Sequence, residues 1–228
     1  MKIMLRLLLP LLCCCSAIPM LFADGEAVKT IVFDRGQWSP SDWILVKSPR
    51  WNYCGKWIQQ EKGISNRTPT APPEELQGKL AGETYTSMVL KAPISGSHAV
   101  TATMMFEYQM APLIVIAPEL GRSASGAPEY REHYEIVLYD QGINVWYHYF
   151  KNGKPEWKLA AFLKAPFKPR TPYCLEVKID YRPAGTSLTV TCDRRTFGFL
   201  DNTFPGSYYV GITGCEGVNS FYDFTIKN

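Results

Sequence analysis

The chain has 228 residues, 46% hydrophobic and 20% charged, with 24 basic against 21 acidic side chains. So much apolar content excludes a disordered chain. So even a charge balance gives no electrostatic argument for a nucleic-acid or membrane-surface partner.

The first element is a leader, MKIMLRLLLPLLCCCSAIPMLFADG, with Lys2 and Arg6 ahead of an apolar run from Leu7 to Phe22. A membrane span needs about 20 apolar residues, so this shorter run suits a signal peptide. The expected signal is 1–23, cut after Ala23, with Ala17 as a second site. A lipoprotein anchor at Cys13, Cys14 or Cys15 is the alternative, although Leu or Cys precedes each of them rather than Gly or Ala. The expected location is therefore exported, periplasmic or extracellular, with no other membrane contact. Losing Lys2 and Arg6 leaves 22 bases against 21 acids.

Residues 24–228 read as one domain. Strands are expected at Thr30–Asp34, Asp42–Lys47, Thr86–Lys91, His98–Gln109, Leu113–Ala117, His133–Tyr139 and Ile143–Phe150. They continue at Lys158–Leu163, Tyr173–Tyr181, Ser187–Asp193, Thr196–Leu200, Tyr208–Gly214 and Ser220–Lys227. Short strands with turn punctuation and no convincing amphipathic helix predict an all-β, two-sheet antiparallel jelly-roll sandwich. Gly63 to Gly82 reads as a long surface loop. It contains Asn66-Arg67-Thr68, a glycosylation acceptor in form, useful only in a eukaryotic host and weakened by Pro69.

Four cysteines, Cys54, Cys174, Cys192 and Cys215, follow the leader, an even number that permits two disulfides in an exported protein. Strand alternation turns Cys174 outward and Cys192 inward, so that pair is poorly placed to bridge. Neither CxxC nor a Cys/His zinc spacing occurs, and no metal ligands are assigned.

In the strand HAVTATMMFEYQ, Thr101, Thr103, Met105, Glu107 and Gln109 share one face, opposite Ala102, Met104, Phe106 and Tyr108. The loop APELGRSASGAPEYRE follows, carrying Arg122 and Arg131, either of which could clamp a carboxylate bidentately. Solvated loop charges are the ordinary alternative.

The stretch HYEIVLYDQGINVWYHYF, His133 to Phe150, is a hairpin whose tight turn is expected to use Gly142 at positive φ. A two-residue Gln141-Gly142 loop pairs Tyr139 with Asn144, Val137 with Trp146, Glu135 with His148 and His133 with Phe150. The other face then pairs Leu138 with Val145, Ile136 with Tyr147 and Tyr134 with Tyr149. A three-residue loop would shift the register by one and mix polar with apolar side chains on both faces. The preferred register puts Glu135 beside His148, and a carboxylate next to an imidazole raises its basicity, as a general base requires.

These residues give two catalytic alternatives. His148 with Glu135 suits a base, and Glu107 with Glu135 suits a glycosidase carboxylate pair if both lie in one sheet. Trp146 offers a plate for a sugar ring, and Asn144, Tyr139 and His133 add groups that can bond hydroxyls. An ordinary solvated cross-strand pair is the competing explanation.

The closing run YYVGITGCEGVNSFYDFTI, Tyr208 to Ile226, resembles the last strands of the concanavalin A-like lectin/glucanase superfamily, with its glycine-bounded strand and the aromatic-x-aromatic Tyr222 and Phe224. Together with PEYREHYEIVLYDQGINVWYHYFKNGKPEW it is similar to the YesU-like (DUF1961) family. The resemblance implies a jelly roll with a glycan-binding sheet, compatible with a structural calcium and otherwise without a cofactor. It carries over no catalytic residues. The hydrolase signature E-x-D-x-x-E is absent, which counts against a laminarinase-type glucanase. The expected partner is a polysaccharide or oligosaccharide. The first expectation is a polysaccharide-degrading enzyme, slightly favouring a lyase on a uronate-containing glycan over a hydrolase; a non-catalytic glycan-binding module is the second.

Overall fold

The structure, a computed structural model, describes residues 28–228. The expected signal peptide and Cys13, Cys14 and Cys15 lie outside the described residues.

In chain order the strands are β1 (Val28–Val32), β2 (Trp43–Leu45), β3 (Trp57–Gln59), β4 (Ile64–Asn66), β5 (Thr86–Leu90), β6 (Ile94–Ser95), β7 (His98–Phe106), β8 (Pro112–Ala117) and β9 (Leu120–Arg122). They continue as β10 (Pro128–Tyr130), β11 (His133–Tyr139), β12 (Gly142–Lys151), β13 (Lys154–Lys164), β14 (Tyr173–Arg182), β15 (Gly185–Cys192), β16 (Arg195–Asp201), β17 (Ser207–Gly214) and β18 (Asn219–Lys227). Two short helices, α1 (Pro73–Gln77) and α2 (Ala81–Thr84), lie between β4 and β5.

The strands form two antiparallel sheets. The first runs β16-β15-β14-β7-β18-β4-β3, with β1 also on β18. The second runs β13-β12-β11-β8-β17-β5-β2, with β6 also on β17. A separate ribbon joins β9 and β10. The jelly-roll sandwich is therefore present. All thirteen expected strands form, and the additional ones (β3, β4, β6, β9 and β10) have two or three residues each, too short to show alternation.

Alternation explains the core. Tyr134, Ile136 and Leu138 of β11 face Leu175, Val177 and Ile179 of β14 and Leu188, Val190 and Cys192 of β15 in one buried cluster. Each such aliphatic side chain contributes about 1.5–3 kcal/mol by leaving water. In β18 a bulge between Phe221 and Asp223 makes Tyr222 the extra residue, so Phe221 and Phe224 both point inward. All four described cysteines are free; Cys174 is exposed and Cys192 buried, the opposed facing that alternation predicted.

The sequence reading needs correction in two places. The stretch 63–82 is not one loop: it holds β4, α1 and the start of α2. Asn66 is buried there, its Nδ2 donating to the carbonyls of Thr84 and Gly217, so it is no glycosylation acceptor. In the hairpin, Asp140-Gln141 is the two-residue loop, and the pairs are His133–His148, Glu135–Trp146, Val137–Asn144 and Tyr139–Gly142. This register is two residues from the expected one, and a shift of two keeps every side chain on its predicted face. Gly142 does not take a positive φ. It is glycine because a Cβ there would stand 2.1 Å from the Leu163 carbonyl oxygen of β13.

The outer face of the second sheet is not an open platform. Leu113, Val115, Val89 and Val137 pack outward against Val46, Tyr85, Tyr130 and Cys215, forming a second buried cluster. A strap over residues 46–55 supplies part of this roof. It is held to the ribbon by Lys47 N–H to the Pro128 carbonyl at 2.9 Å and Tyr130 N–H to the Lys47 carbonyl at 3.1 Å.

Candidate active site

Beneath this roof β11 and β12 bring His133, Glu135 and His148 together. The three are 0%, 6% and 4% exposed, which takes a carboxylate and two imidazoles out of water. Glu135 sits between the imidazoles: its Oε1 is 3.2 Å from His133 Nε2 and its Oε2 is 3.0 Å from His148 Nε2. The first contact is a directed hydrogen bond. At the second, the His148 N–H direction misses the carboxylate, leaving His148 Nε2 buried without a directed partner. The rings stack at 4.5 Å and 11°, and Tyr130 stacks on the far side of His133 at 4.4 Å. Tyr130 is anchored by its hydroxyl to Ser87, which also bonds Thr213.

Burial alone would raise the Glu135 pKa, yet the two imidazoles outweigh it and hold the carboxyl well below its usual range. For His133 burial wins over Glu135 and lowers the imidazole pKa. A buried anion is thus held between two rings, at least one of which resists protonation.

The cluster opens into a pocket of about 180 Å³. Its walls include Trp146 and Asn144 from β12, Trp157 from β13, Arg50 and Trp51 from the strap, and Glu216 from the turn after β17. The Arg50 guanidinium lies 5.0 Å from the Trp51 ring and 4.7 Å from the Trp157 ring. Burial pushes the Glu216 carboxyl above its usual range; Arg50 opposes this and Glu135 adds to it. Tyr85 also lines the pocket, and its hydroxyl is buried without a partner.

Several expected site residues lie elsewhere. Glu107 follows β7, in the first sheet, and meets Arg170 at 3.0 Å at the surface. It cannot form a carboxylate pair with Glu135, because β7 turns its apolar face into the sandwich and its polar face to the opposite side. Arg122 donates to the Gly126 carbonyl, while Arg131 pairs with Glu129 at 3.5 Å and lies over Phe150. Neither lines the pocket, since both are taken up in fastening their own loop. Tyr139 lies outside it too, at the turn end of the hairpin, and His133 stands behind Glu135 rather than on the wall.

Sequence reasoning missed Arg50, Trp51, Trp157, Tyr85 and Glu216. The available signal was β8, PLIVIA, which is apolar on both faces. Such a strand is covered on both sides, so something had to cross the outer sheet. The sequence does not show which loop does so.

His133, Glu135 and His148 offer three ligand-type atoms within 4.8 Å of one another, the one such group among the described residues. Two nitrogens make it unlike the all-oxygen shell that calcium takes.

The sequence matches no protein-family model, and no curated protein is significantly similar to it. Solved structures do resemble the fold. A glycoside hydrolase family 16 endo-glucanase from Bacteroides ovatus aligns with a TM-score of 0.57 at 10% identity, over 87% of this chain and 99% of the other. The carbohydrate-binding module CBM66 from Bacillus subtilis gives 0.53 at 15%, over 79% and 92%. Lectin II from Ulex europaeus gives 0.53 at 11%, over 89% and 98%. At these identities the likeness establishes the concanavalin A-like fold, which carries both glycan-cleaving and glycan-binding proteins.

Proposed function

We propose that the protein is an exported glycan-cleaving enzyme that works in the Glu135–His148 pocket by eliminating across a glycosidic linkage of a uronate-containing glycan. The observation that carries this reading is the placement of two unlike acid–base groups on one pocket: a buried carboxylate–imidazole centre, and Glu216, whose burial raises its carboxyl above the usual range. Environments that push two titratable groups apart are how one site holds an acid and a base at the same pH.

Arg50 is the pocket's cation and suits the uronate carboxylate, a role the sequence had suggested for Arg122 or Arg131. Neutralising that carboxylate acidifies the proton on the adjacent carbon. The proton passes to the His133–Glu135–His148 centre on the side where His148 lines the pocket. The electron pair left behind forms the carbon–carbon double bond as the glycosidic C–O bond breaks, and the departing oxygen takes the Glu216 proton. Trp51, Trp146 and Trp157 supply flat apolar surface for the sugar rings.

The test is mass spectrometry of products after incubation with a panel of neutral and uronate-rich polysaccharides. Oligosaccharides lighter by one water than hydrolysis products support elimination. Water-added products would keep the enzyme but replace elimination with hydrolysis. Glycan retention without cleavage would make the pocket a lectin-like binding site.

A further inference from the structure

We propose that His133, Glu135 and His148 bind a divalent first-row transition metal ion of the zinc class, with its open coordination positions facing the pocket. The spacing admits an ion: bonds of about 2.1 Å to nitrogen and oxygen place neighbouring ligand atoms roughly 3.0–3.4 Å apart. Each imidazole Nε2 lies 3.0 or 3.2 Å from its own oxygen of the Glu135 carboxylate, and the three side chains bring one ligand atom each within 4.8 Å of the others. Two imidazoles and one carboxylate form the three-ligand set that catalytic metal sites use while keeping a position open.

A second, independent observation points to a ligand. His148 is 4% exposed, and its Nε2 lies 3.0 Å from the Glu135 carboxylate with the N–H direction turned off it, so that this nitrogen has no directed hydrogen bond. Buried polar atoms are ordinarily satisfied, and an ion between the three side chains would satisfy this one. The rings now stand 11° apart, so binding both in plane requires them to swing open. Neither is pinned at its free nitrogen: His133 Nδ1 also lacks a partner. All three side chains come from one hairpin, so the site is carried by paired backbone rather than by loops.

Binding itself does not depend on the elimination reading, whereas the ion's role in catalysis rests on it. There, with His133, Glu135 and His148 holding the ion, an ion-bound water of lowered pKa would take the place of the free His148 imidazole as the base that accepts the proton beside the carboxylate. Glu216, having given its proton to the departing oxygen, would regain one from solvent.

The test uses the full chain stripped with a chelator, then titrated with Co²⁺. The expected result is saturation at one ion per chain, with visible ligand-field bands that Zn²⁺ displaces. His148→Ala should abolish the bands and Glu135→Gln should weaken binding at least about 100-fold. His98→Ala, which removes the one histidine outside the cluster, should change nothing. Because a core variant can fail to fold, ¹⁵N spectra of the unmodified chain provide a second readout: the ring nitrogens of His133 and His148 should shift on adding Zn²⁺ and those of His98 should not. Absence of saturable binding, or binding that leaves the His133 and His148 signals unmoved, overturns the site. Undiminished glycan cleavage by the stripped protein overturns the catalytic role while leaving the site; binding without any cleavage overturns the elimination reading alone.

Discussion

Glu107 and Glu135 are alike in the sequence, each at a position where a strand alternates apolar and polar residues. In the structure their surroundings diverge. Glu107 lies over the first sheet, 39% exposed at its side chain, paired to an Arg170 that is 77% exposed. Glu135 lies over the second sheet under a strap, the β9–β10 ribbon and the turn after β17, 8% exposed at its side chain and contacted by two imidazoles. The difference is made by what crosses above the strand, not by the strand. Water screens the first pair to a contribution of about 0–1 kcal/mol. The second keeps its charges in a medium where they act strongly on anything entering the pocket.

Four substitutions probe this contrast. Glu135→Gln keeps the shape and removes the charge. Cleavage should fall about 10²–10⁴-fold, the usual worth of general acid–base chemistry, with far-UV circular dichroism unchanged. A variant that keeps most of its activity would dissolve the contrast at its centre.

Glu216→Gln should lower kcat about 10²-fold. Since the Glu216 pKa is raised, the acid is present at low pH and lost as pH climbs through that raised value. Wild-type activity should therefore decline on the alkaline side, and the residual activity of the variant should lack that limb.

Trp157→Ala removes a half-exposed ring that holds Arg50, a contact worth about 0.5–1 kcal/mol. KM should rise by about fivefold or less, with kcat and thermal midpoint nearly unchanged. A collapse of kcat would instead move Trp157 into the reacting centre.

Glu107→Gln should do least, changing cleavage less than about twofold and stability by under about 1 kcal/mol in a denaturant titration. A large loss of activity there would mean that the first sheet carries a site of its own.

The fold was legible because two-residue periodicity over the long strands is a strong signal. Leu175, Val177 and Ile179, or Tyr134, Ile136 and Leu138, announce an inner face without any further information. The hairpin's polar face was legible for the same reason, and it survived a register error of two residues because a shift of two preserves facing. Loop identity was not legible. Arg50 and Trp51 reach the pocket through a strap whose path depends on pairing with residues about 80 positions later, and no local pattern records such a contact. Glu216 owes its place to a turn at φ 53°, a conformation that the string Gly-Cys-Glu-Gly allows but does not announce. Arg122 and Arg131 were attractive for their charge and loop position, and the structure spends that charge on their own ribbon.

The fastening of the strap to the ribbon couples two properties that could have been independent. Residues 128–130 hold the segment carrying Arg50 and Trp51, and they also supply the Tyr130 ring against His133. An insertion at the ribbon's tip, between Ser123 and Ala127, leaves both untouched, whereas a single-residue insertion between Pro128 and His133 would displace the wall of the pocket and the footing of its reactive centre in one step. Among natural descendants of this chain, length variation should therefore collect at the tip, and a lineage that changes length at the base should have changed its substrate.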